Sequence, residues 1–328
     1  MTEAGVRYSF GPVPSRRLGK SLGVNNIPAK ACTYSCVYCQ VGRTMDMAVA
    51  RRHFYEPESI FRDVRDRCAK ARDEGERIDF LTFVPDGEPT LDVNLGREIS
   101  LLRPLGVPVG VITNSSLVWR GDVREELALA DWVSLKVDAV RPSDWRRINR
   151  PHGSLDLAAI LGGAELFAGT FKGRLVTETM LVGGIDDAED GLAETAEVLG
   201  RLRPETAYIS IPTRPPAEAW VRPPVEGTLN RAYHIFAQKV PRVEYLIGYE
   251  GDAFAATGDV EKDLLSITAV HPMRRGAVEA LLSRTGAAWS VVERLVARGD
   301  LTETSYEGHV FYLRRFRKAA GSGIPPAN

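Results

Sequence analysis

The chain of 328 residues lacks the features that classify a protein fastest. No apolar run reaches the length of a membrane span, and Met1-Thr-Glu-Ala-Gly-Val-Arg-Tyr8 lacks the apolar core of a secretory signal. Net charge is almost absent, at −1, which excludes whole-molecule electrostatic capture of nucleic acid but leaves room for a local basic face. The five histidines, His53, His152, His234, His271 and His309, form no paired spacing, so a Cys–His zinc finger has no second half. Four cysteines are too few for a disulfide framework, which a chain of this length does not need. What remains is an ordinary globular balance, 44% hydrophobic and 26% charged, long enough for one large and one small domain. With three of the four cysteines crowded together, a reducing cytoplasmic setting is expected.

Those three are the most informative residues: Cys32-Thr-Tyr-Ser-Cys36-Val-Tyr-Cys39, a C-x3-C-x2-C spacing. Thiolates are the usual protein ligands of iron–sulfur clusters, and three of them hold three irons of a 4Fe–4S cube. The fourth iron is left open to a small molecule. Zinc would call for a second Cys or His pair, and only Cys68 remains. Cys68 has a simpler reading. It falls with Ile60, Val64 and Ala71 on the apolar stripe of a helix expected over Glu56–Gly75.

From about residue 20 to 250 the chain alternates short apolar runs with amphipathic segments. Strands are expected at Leu22–Ile27, Ile78–Val84, Val107–Thr113, Trp132–Val137, Leu175–Val182 and Ala207–Ile211. Helices are expected between them, at Asp92–Leu102, Asp122–Ala130, Ser154–Phe167 and Ala188–Arg203, with Leu192, Ala196, Leu199 and Leu202 as one stripe. Such alternation implies parallel strands joined by right-handed crossovers. A Pro-rich loop, Ile211-Pro-Thr-Arg214-Pro-Pro, follows the sixth strand, and its place at a strand end makes Arg214 a substrate-contact candidate. A helix at Glu226–Gln238 and a run at Val243–Gly248 close this part.

Strand ends also carry the remaining polar motifs. Asp86-Gly87-Glu88-Pro89 follows the second strand, and a Gly–Pro frame exposes carbonyl and carboxylate acceptors to a cationic ligand; Asp-Gly and Glu-Pro are also ordinary turn dipeptides. Thr113-Asn114-Ser115-Ser116 ends the third, offering short hydroxyl and amide groups that also suit a helix N-cap. Ser134, Lys136 and Asp138 share one face of the fourth by alternation; a charged pair inside a sheet is either a ligand contact or a structural ion pair. Leu181-Val-Gly183-Gly184 ends the fifth, where glycine permits close backbone approach to a flat ring. Ser15-Arg16-Arg17 reads as a phosphate or carboxylate contact or as a solvated basic turn.

Together these motifs resemble the radical S-adenosylmethionine (SAM) superfamily. That resemblance implies a partial (β/α)6 barrel over residues 1–258, with Cys32, Cys36 and Cys39 holding a 4Fe–4S cluster whose open iron chelates SAM. It implies Tyr38 against the adenine, Gly87-Glu88-Pro89 at the SAM amino group, Thr113 to Ser116 at the ribose, and Gly183 near the adenine. Asp86 departs from the superfamily's Gly-Gly-Glu-Pro at its first position. Gly11-Pro-Val-Pro-Ser-Arg-Arg-Leu-Gly19, Cys36-Val-Tyr-Cys-Gln40 and Gly87-Glu-Pro-Thr-Leu91 look more narrowly like uncharacterised iron–sulfur oxidoreductases related to the wybutosine-synthesis enzyme of tRNA. That enzyme uses a lysine, for which Lys30 and Lys136 are the candidates, alongside Asp138 and Arg214 as further catalytic candidates; its second, N-terminal cysteine set has no counterpart here.

Residues 259–318 read as helices at Asp259–Ile267, Met273–Thr285 and Ala288–Arg298, then a hairpin of Leu301–Thr304 and His309–Leu313. The order resembles a small winged helix-turn-helix domain. Between Arg274 and Lys318 it carries nine Lys/Arg against five Asp/Glu, and residues 319–328 read as a disordered tail. The expectation is therefore a radical SAM enzyme with an external flavodoxin- or ferredoxin-like electron donor, and a tRNA or a peptide or protein substrate presented by the C-terminal domain. The alternative is a winged-helix DNA-binding regulator whose cluster senses oxygen or iron.

Overall fold

The computed structural model describes residues 7–246, 259–270 and 272–315. In chain order the elements of the larger part are β1 (Ser9–Ser15), β2 (Gly19–Val24), β3 (Ala31–Cys32), β4 (Asp46–Met47), α1 (Pro57–Asp73), β5 (Phe80–Phe83), α2 (Leu95–Leu102), β6 (Val109–Thr113), α3 (Gly121–Leu127), β7 (Trp132–Lys136), α4 (Pro142–Asn149), α5 (Leu157–Thr170), β8 (Arg174–Met180), α6 (Glu189–Leu202), β9 (Thr206–Ser210), α7 (Glu226–Ala237) and β10 (Val243–Leu246). Eight strands form one sheet in the order β1-β2-β5-β6-β7-β8-β9-β10. From β2 to β10 every neighbouring pair is parallel. Helical crossovers thus feed each strand from β5 to β10, as the alternating pattern requires. The sheet is an open, curled half-barrel with β1 at one edge and β10 at the other.

Its core is contiguous. The stripes expected on α1 (Ile60, Val64, Cys68, Ala71) and α6 (Leu192, Ala196, Leu199, Leu202) are buried in one core with the strand residues Val109, Val111, Val133 and Leu135. Cys68 is a packed core residue of α1.

The departures have local causes. β1 was unreadable as a strand because two of its seven residues are proline; it pairs antiparallel with β2 at the sheet edge, where proline is tolerated, and its register shifts between Phe10 and Val13. Helix α5 starts later than expected, at Leu157, because Asp156 is the residue whose carboxylate caps it, accepting from Ala159 N at 2.8 Å. Helix α2 starts late because Pro89–Leu91 makes a separate 3-10 turn. Short, basic α4 went unread, although Trp145 and Ile148 anchor it.

The C-terminal part comprises α8 (Val260–Val270), β11 (Met273–Arg274), α9 (Arg275–Thr285), α10 (Ser290–Ala297), β12 (Leu301–Tyr306) and β13 (His309–Arg314). The strands form a sheet in the order β11-β13-β12. Leu264, Ile267, Leu281, Val292, Leu295 and Tyr312 belong to a core of its own. This core is joined by Val13 of β1, and Tyr306 Oη donates to the Pro212 carbonyl at 3.0 Å. The boundary expected at 258/259, the end of the run at Gly248, the end of the small domain at Lys318 and the tail at 319–328 lie outside the described residues. No described helix is long and apolar enough to cross a membrane.

Candidate active site

The cysteine loop leaves β3 and is stitched to the end of α4. Val37 N donates to the Ile148 carbonyl (2.9 Å), Ser35 N to that of Asn149 (3.0 Å), and His152 N to that of Thr33 (2.9 Å). Cys32, Cys36 and Cys39 are free and half-buried. Asn114 Nδ2 stands 3.5 Å from Cys32 Sγ, and Asn149 Nδ2 3.4 Å from Cys36 Sγ, so two of the sulfurs accept amide hydrogen bonds. Burial pushes all three thiols up, with Cys36 adding to it at Cys32 and Asp138 taking Cys36 to about 12, although Lys30 works the other way at Cys39. This donor set is electrostatically incomplete by itself, and a bound cationic group reverses the penalty. Among the described residues no three His, Cys, Asp or Glu side chains gather at one metal ion's spacing. Three free thiols in one loop, two of them accepting amide hydrogen bonds, are the donor set that iron–sulfur clusters take, so the residues present fit a 4Fe–4S group.

The Asp86–Pro89 turn packs directly on this loop. Glu88 N donates to the Ala31 carbonyl, and a Cβ on Gly87 would collide with that same oxygen, which is why glycine stands there. Glu88 is 1% exposed. Its carboxylate accepts from Thr90 Oγ1 (2.5 Å), Thr113 Oγ1 (2.6 Å) and Asn114 N (2.7 Å). Burial still raises its pKa against those bonds. Glu88 is thus inward-facing, a clamp between two strand ends.

Thr113, Ser115 and Ser116 are buried behind it, and Ser116 Oγ lies 2.6 Å from Thr33 Oγ1. Of this motif only Asn114 is half-exposed. Gly183 N donates to the Arg222 carbonyl at 2.9 Å, bringing that glycine against the 222–223 backbone.

A cavity of about 270 Å³ opens beside the loop, and Tyr38, Cys39, Lys136 and Arg214 all line it. The sequence reading missed its central residue, Glu178 of β8. Glu178 accepts from Lys136 Nζ (2.9 Å), Arg17 Nη1 (2.5 Å) and Ser210 Oγ (3.1 Å). The signal was available: an acid in an otherwise buried strand must be paired. Burial opposes ionisation of Glu178, but Lys136 and Arg17 outweigh it and hold the carboxyl well below its usual range. Burial likewise opposes the Lys136 charge, and Glu178 and Asp138 outweigh it, holding the ammonium well above the usual lysine range. Lys136 is therefore a fixed cation, 5.1 Å from the centroid of the Tyr38 ring. Asp138 accepts from the Tyr38 hydroxyl, from Asn149 Nδ2 (2.7 Å) and from Met180 N (2.9 Å), so it ties the cysteine loop to β8. Arg214 Nη1 donates to Gln40 Oε1 at 2.8 Å.

Lys30 is not in this cavity. It lies across the Cys39–Arg43 segment, in a left-handed backbone conformation (φ 67°), and is 7% exposed. Its Nζ is 2.9 Å from where a Cβ on Gly42 would stand. Burial lowers its pKa, with Cys39 and Asp86 pulling back. Asp86 is 4% exposed, one carboxylate oxygen has no hydrogen-bond partner, and burial pushes it up to about 7. The two lysines grouped from sequence thus occupy different sites.

The sequence profile of the Radical SAM superfamily matches residues 26–199. The chain is 46% identical over 314 residues to a UPF0026 protein of Methanocaldococcus jannaschii, covering 95% of this chain and 97% of the relative. It is 36% identical over 208 residues to a UPF0026 protein of Synechocystis, covering 63% and 76% respectively. Among solved structures, a radical SAM methyltransferase from Sphaerobacter thermophilus superposes with a TM-score of 0.55 at 17% identity, over 69% of this chain and 66% of that one. SuiB of Streptococcus suis bound to S-adenosylmethionine gives 0.50 at 12% identity, over 68% of this chain and 49% of that one. At these identities the likeness is one of fold. The profile and the end-to-end relative go further: the chain belongs to the radical SAM superfamily and, within it, to the UPF0026 family.

Proposed function

We propose that the protein reductively cleaves SAM and uses the resulting radical on a substrate held in the Glu178 cavity. The observation that carries this reading is the meeting, at one end of the sheet, of the cysteine loop, the Glu88 clamp and a charged cavity. A reduced 4Fe–4S group held by these cysteines would supply the electron that splits SAM into methionine and a 5′-deoxyadenosyl radical able to take a hydrogen atom from the substrate.

The residues of the chain serve that chemistry by holding and excluding. Cys32, Cys36 and Cys39 are the cluster ligands, with Asn114 and Asn149 donating to two of the sulfurs. Tyr38 offers its ring to the adenine, and its hydroxyl is held by Asp138. Backbone groups of Gly87 to Pro89 meet the SAM amino group, while the buried Glu88 side chain keeps the turn in place. Asn114, the half-exposed member of its motif, is the ribose contact; Thr113, Ser115 and Ser116 fix its position. Gly183 backs the adenine pocket. Lys136 and Arg17, pinned by Glu178, present a fixed positive edge to an anionic group of SAM or substrate, and Arg214 forms the rim. The C-terminal unit, with three helices and a small sheet, is a winged-helix-like module that helps present a tRNA, peptide or protein substrate from a cytoplasmic pool.

The test is anaerobic. Protein reconstituted with iron and sulfide, reduced and given SAM is expected to yield 5′-deoxyadenosine and methionine by mass spectrometry. Cys36→Ala is expected to lose iron and both products. A cluster-loaded protein that makes neither product, with or without cell extract as substrate source, would sink the reading.

A further inference from the structure

We propose that the cleft between the half-barrel and the C-terminal unit is the docking surface for an acidic one-electron carrier protein that reduces the cluster; this rests on the reading that the cysteine loop holds one. The segment following Cys39 has two faces. Cys39, Gln40 and Val41 border the Glu178 cavity, which the proposed function gives to the substrate and which Tyr38 also lines. Gln40 to Arg43 border a second cavity, about 450 Å³, closed on its far side by Thr302, Thr304 and Arg314 of the C-terminal unit. An electron has to enter on a side that cofactor and substrate leave open, and this is the other side of the same loop. The remaining cysteine, Cys68, is packed in the core on the inner face of α1 and offers no relay.

The lining of the cleft fits an acidic protein. Its charged members among the described residues are Lys30, Arg43, Arg314 and Arg315, with no Asp or Glu. Behind them Glu218 is shared by Arg43 (2.9 Å) and Arg150 (2.5 Å), and Asp86 faces Lys30. Arg314 and Arg315 are exposed at the end of β13. The chain as a whole carries −1, so the surplus is a local field of the kind that steers a charged partner. Met45, Pro215, Pro216 and Leu313 line it as well, adding apolar surface to the charged one. Met45 is 47% exposed, and methionine repacks readily against a partner. Among the described residues no aromatic side chain lines the cleft to offer the stacking platform that single-stranded nucleic acid uses. The step is a transfer of one electron from the carrier's flavin or iron–sulfur centre to the oxidised cluster. The carrier is oxidised by one electron, the cluster reduced by one, and no atom moves.

The test uses the reconstituted full chain and its Arg314→Glu/Arg315→Glu variant. A reduced acidic [2Fe–2S] ferredoxin is mixed anaerobically with each, and cluster bleaching is followed by stopped flow. Dithionite serves as a small reductant that needs no docking surface. Ferredoxin is expected to reduce the wild type at a rate that falls steeply with salt, and the variant about tenfold more slowly at low salt. Dithionite should reduce both alike, and oxidised ferredoxin should bind the variant correspondingly more weakly in calorimetry. Ferredoxin rates within about twofold of each other, or dithionite slowed as much as ferredoxin, would overturn the proposal. So would a mixed-sequence oligoribonucleotide whose binding is lost in the variant while ferredoxin reduction is untouched, which would make the cleft a nucleic-acid groove. If no cluster forms at all, the underlying reading fails, and the calorimetric binding of ferredoxin to wild type and variant still decides the surface.

Discussion

The two faces of the Cys39–Arg43 segment each hold a lysine, Lys136 half-buried on one and Lys30 buried on the other, and the two are driven in opposite directions. Lys136 lies between Glu178 and Asp138, and its charge is reinforced. Lys30 has Asp86 as its acidic neighbour, an acid itself pushed towards its neutral form, and burial depresses the lysine. In one region Lys136 and Arg17 are matched at short range by Glu178 and Asp138. In the other, Arg43, Arg314 and Arg315 stand on a wall that has no Asp or Glu among its described lining residues. Matched charges fix geometry, whereas surplus charge acts at a distance. That suits a cavity that must hold a reacting bond still and a cleft that must attract a partner.

The same chemical change at the two acids should therefore have opposite signs. Glu178→Gln leaves the half-buried Arg17 and Lys136 around a neutral group, and a loss of about 2–3 kcal/mol in denaturant unfolding is expected. A loss below about 1 kcal/mol would show that the network is solvated and not a rigid clamp. Asp86→Asn in the cluster-free protein should instead stabilise, by about 2 kcal/mol at pH 8. The sign follows from linkage. With a folded-state pKa of about 7 against an ordinary 3.8, the native state keeps a proton that the unfolded chain releases. Wild-type stability should fall as pH rises from about 4 to 7, and the Asn variant should lack that slope. Parallel pH profiles for the two proteins would erase the contrast between the regions. Smallest is Cys68→Ala, in neither region: about 1 kcal/mol lost from a packed helix face, with full iron content retained. A variant that lost iron would give Cys68 a part in the cluster site.

Much of this was legible from spacing. The three cysteines, the turn at Glu88 and the Thr113–Ser116 segment all sit at the ends of alternating strands, and the open parallel sheet brings those ends together. Legibility failed where the decisive information is three-dimensional. Glu178 hides in a β-branched run, and only its partners from β1–β2 and β7 reveal it. Lys30 and Lys136 look alike in sequence, and the left-handed turn at Lys30 sends one of them to the other side of the loop. Glu88 reads as a ligand contact, yet its oxygens are spent on Thr90, Thr113 and Asn114. β1 was masked by Pro12 and Pro14, residues that only an edge strand accommodates.

That edge strand carries a consequence for how the protein is made. Val13 of β1 packs into a core built from α8, α9, α10 and β12, so the strand that opens the half-barrel in the chain is completed by elements that follow it. Domains fold as their residues emerge, and the sheet can form while the C-terminal unit is still being synthesised. During that interval the Pro212 carbonyl lacks its Tyr306 partner and the wall of the cleft formed by β12 and β13 is missing. The Gln40–Arg43 side of the loop is uncovered in that interval, so the cleft comes into being only when the later elements fold against it.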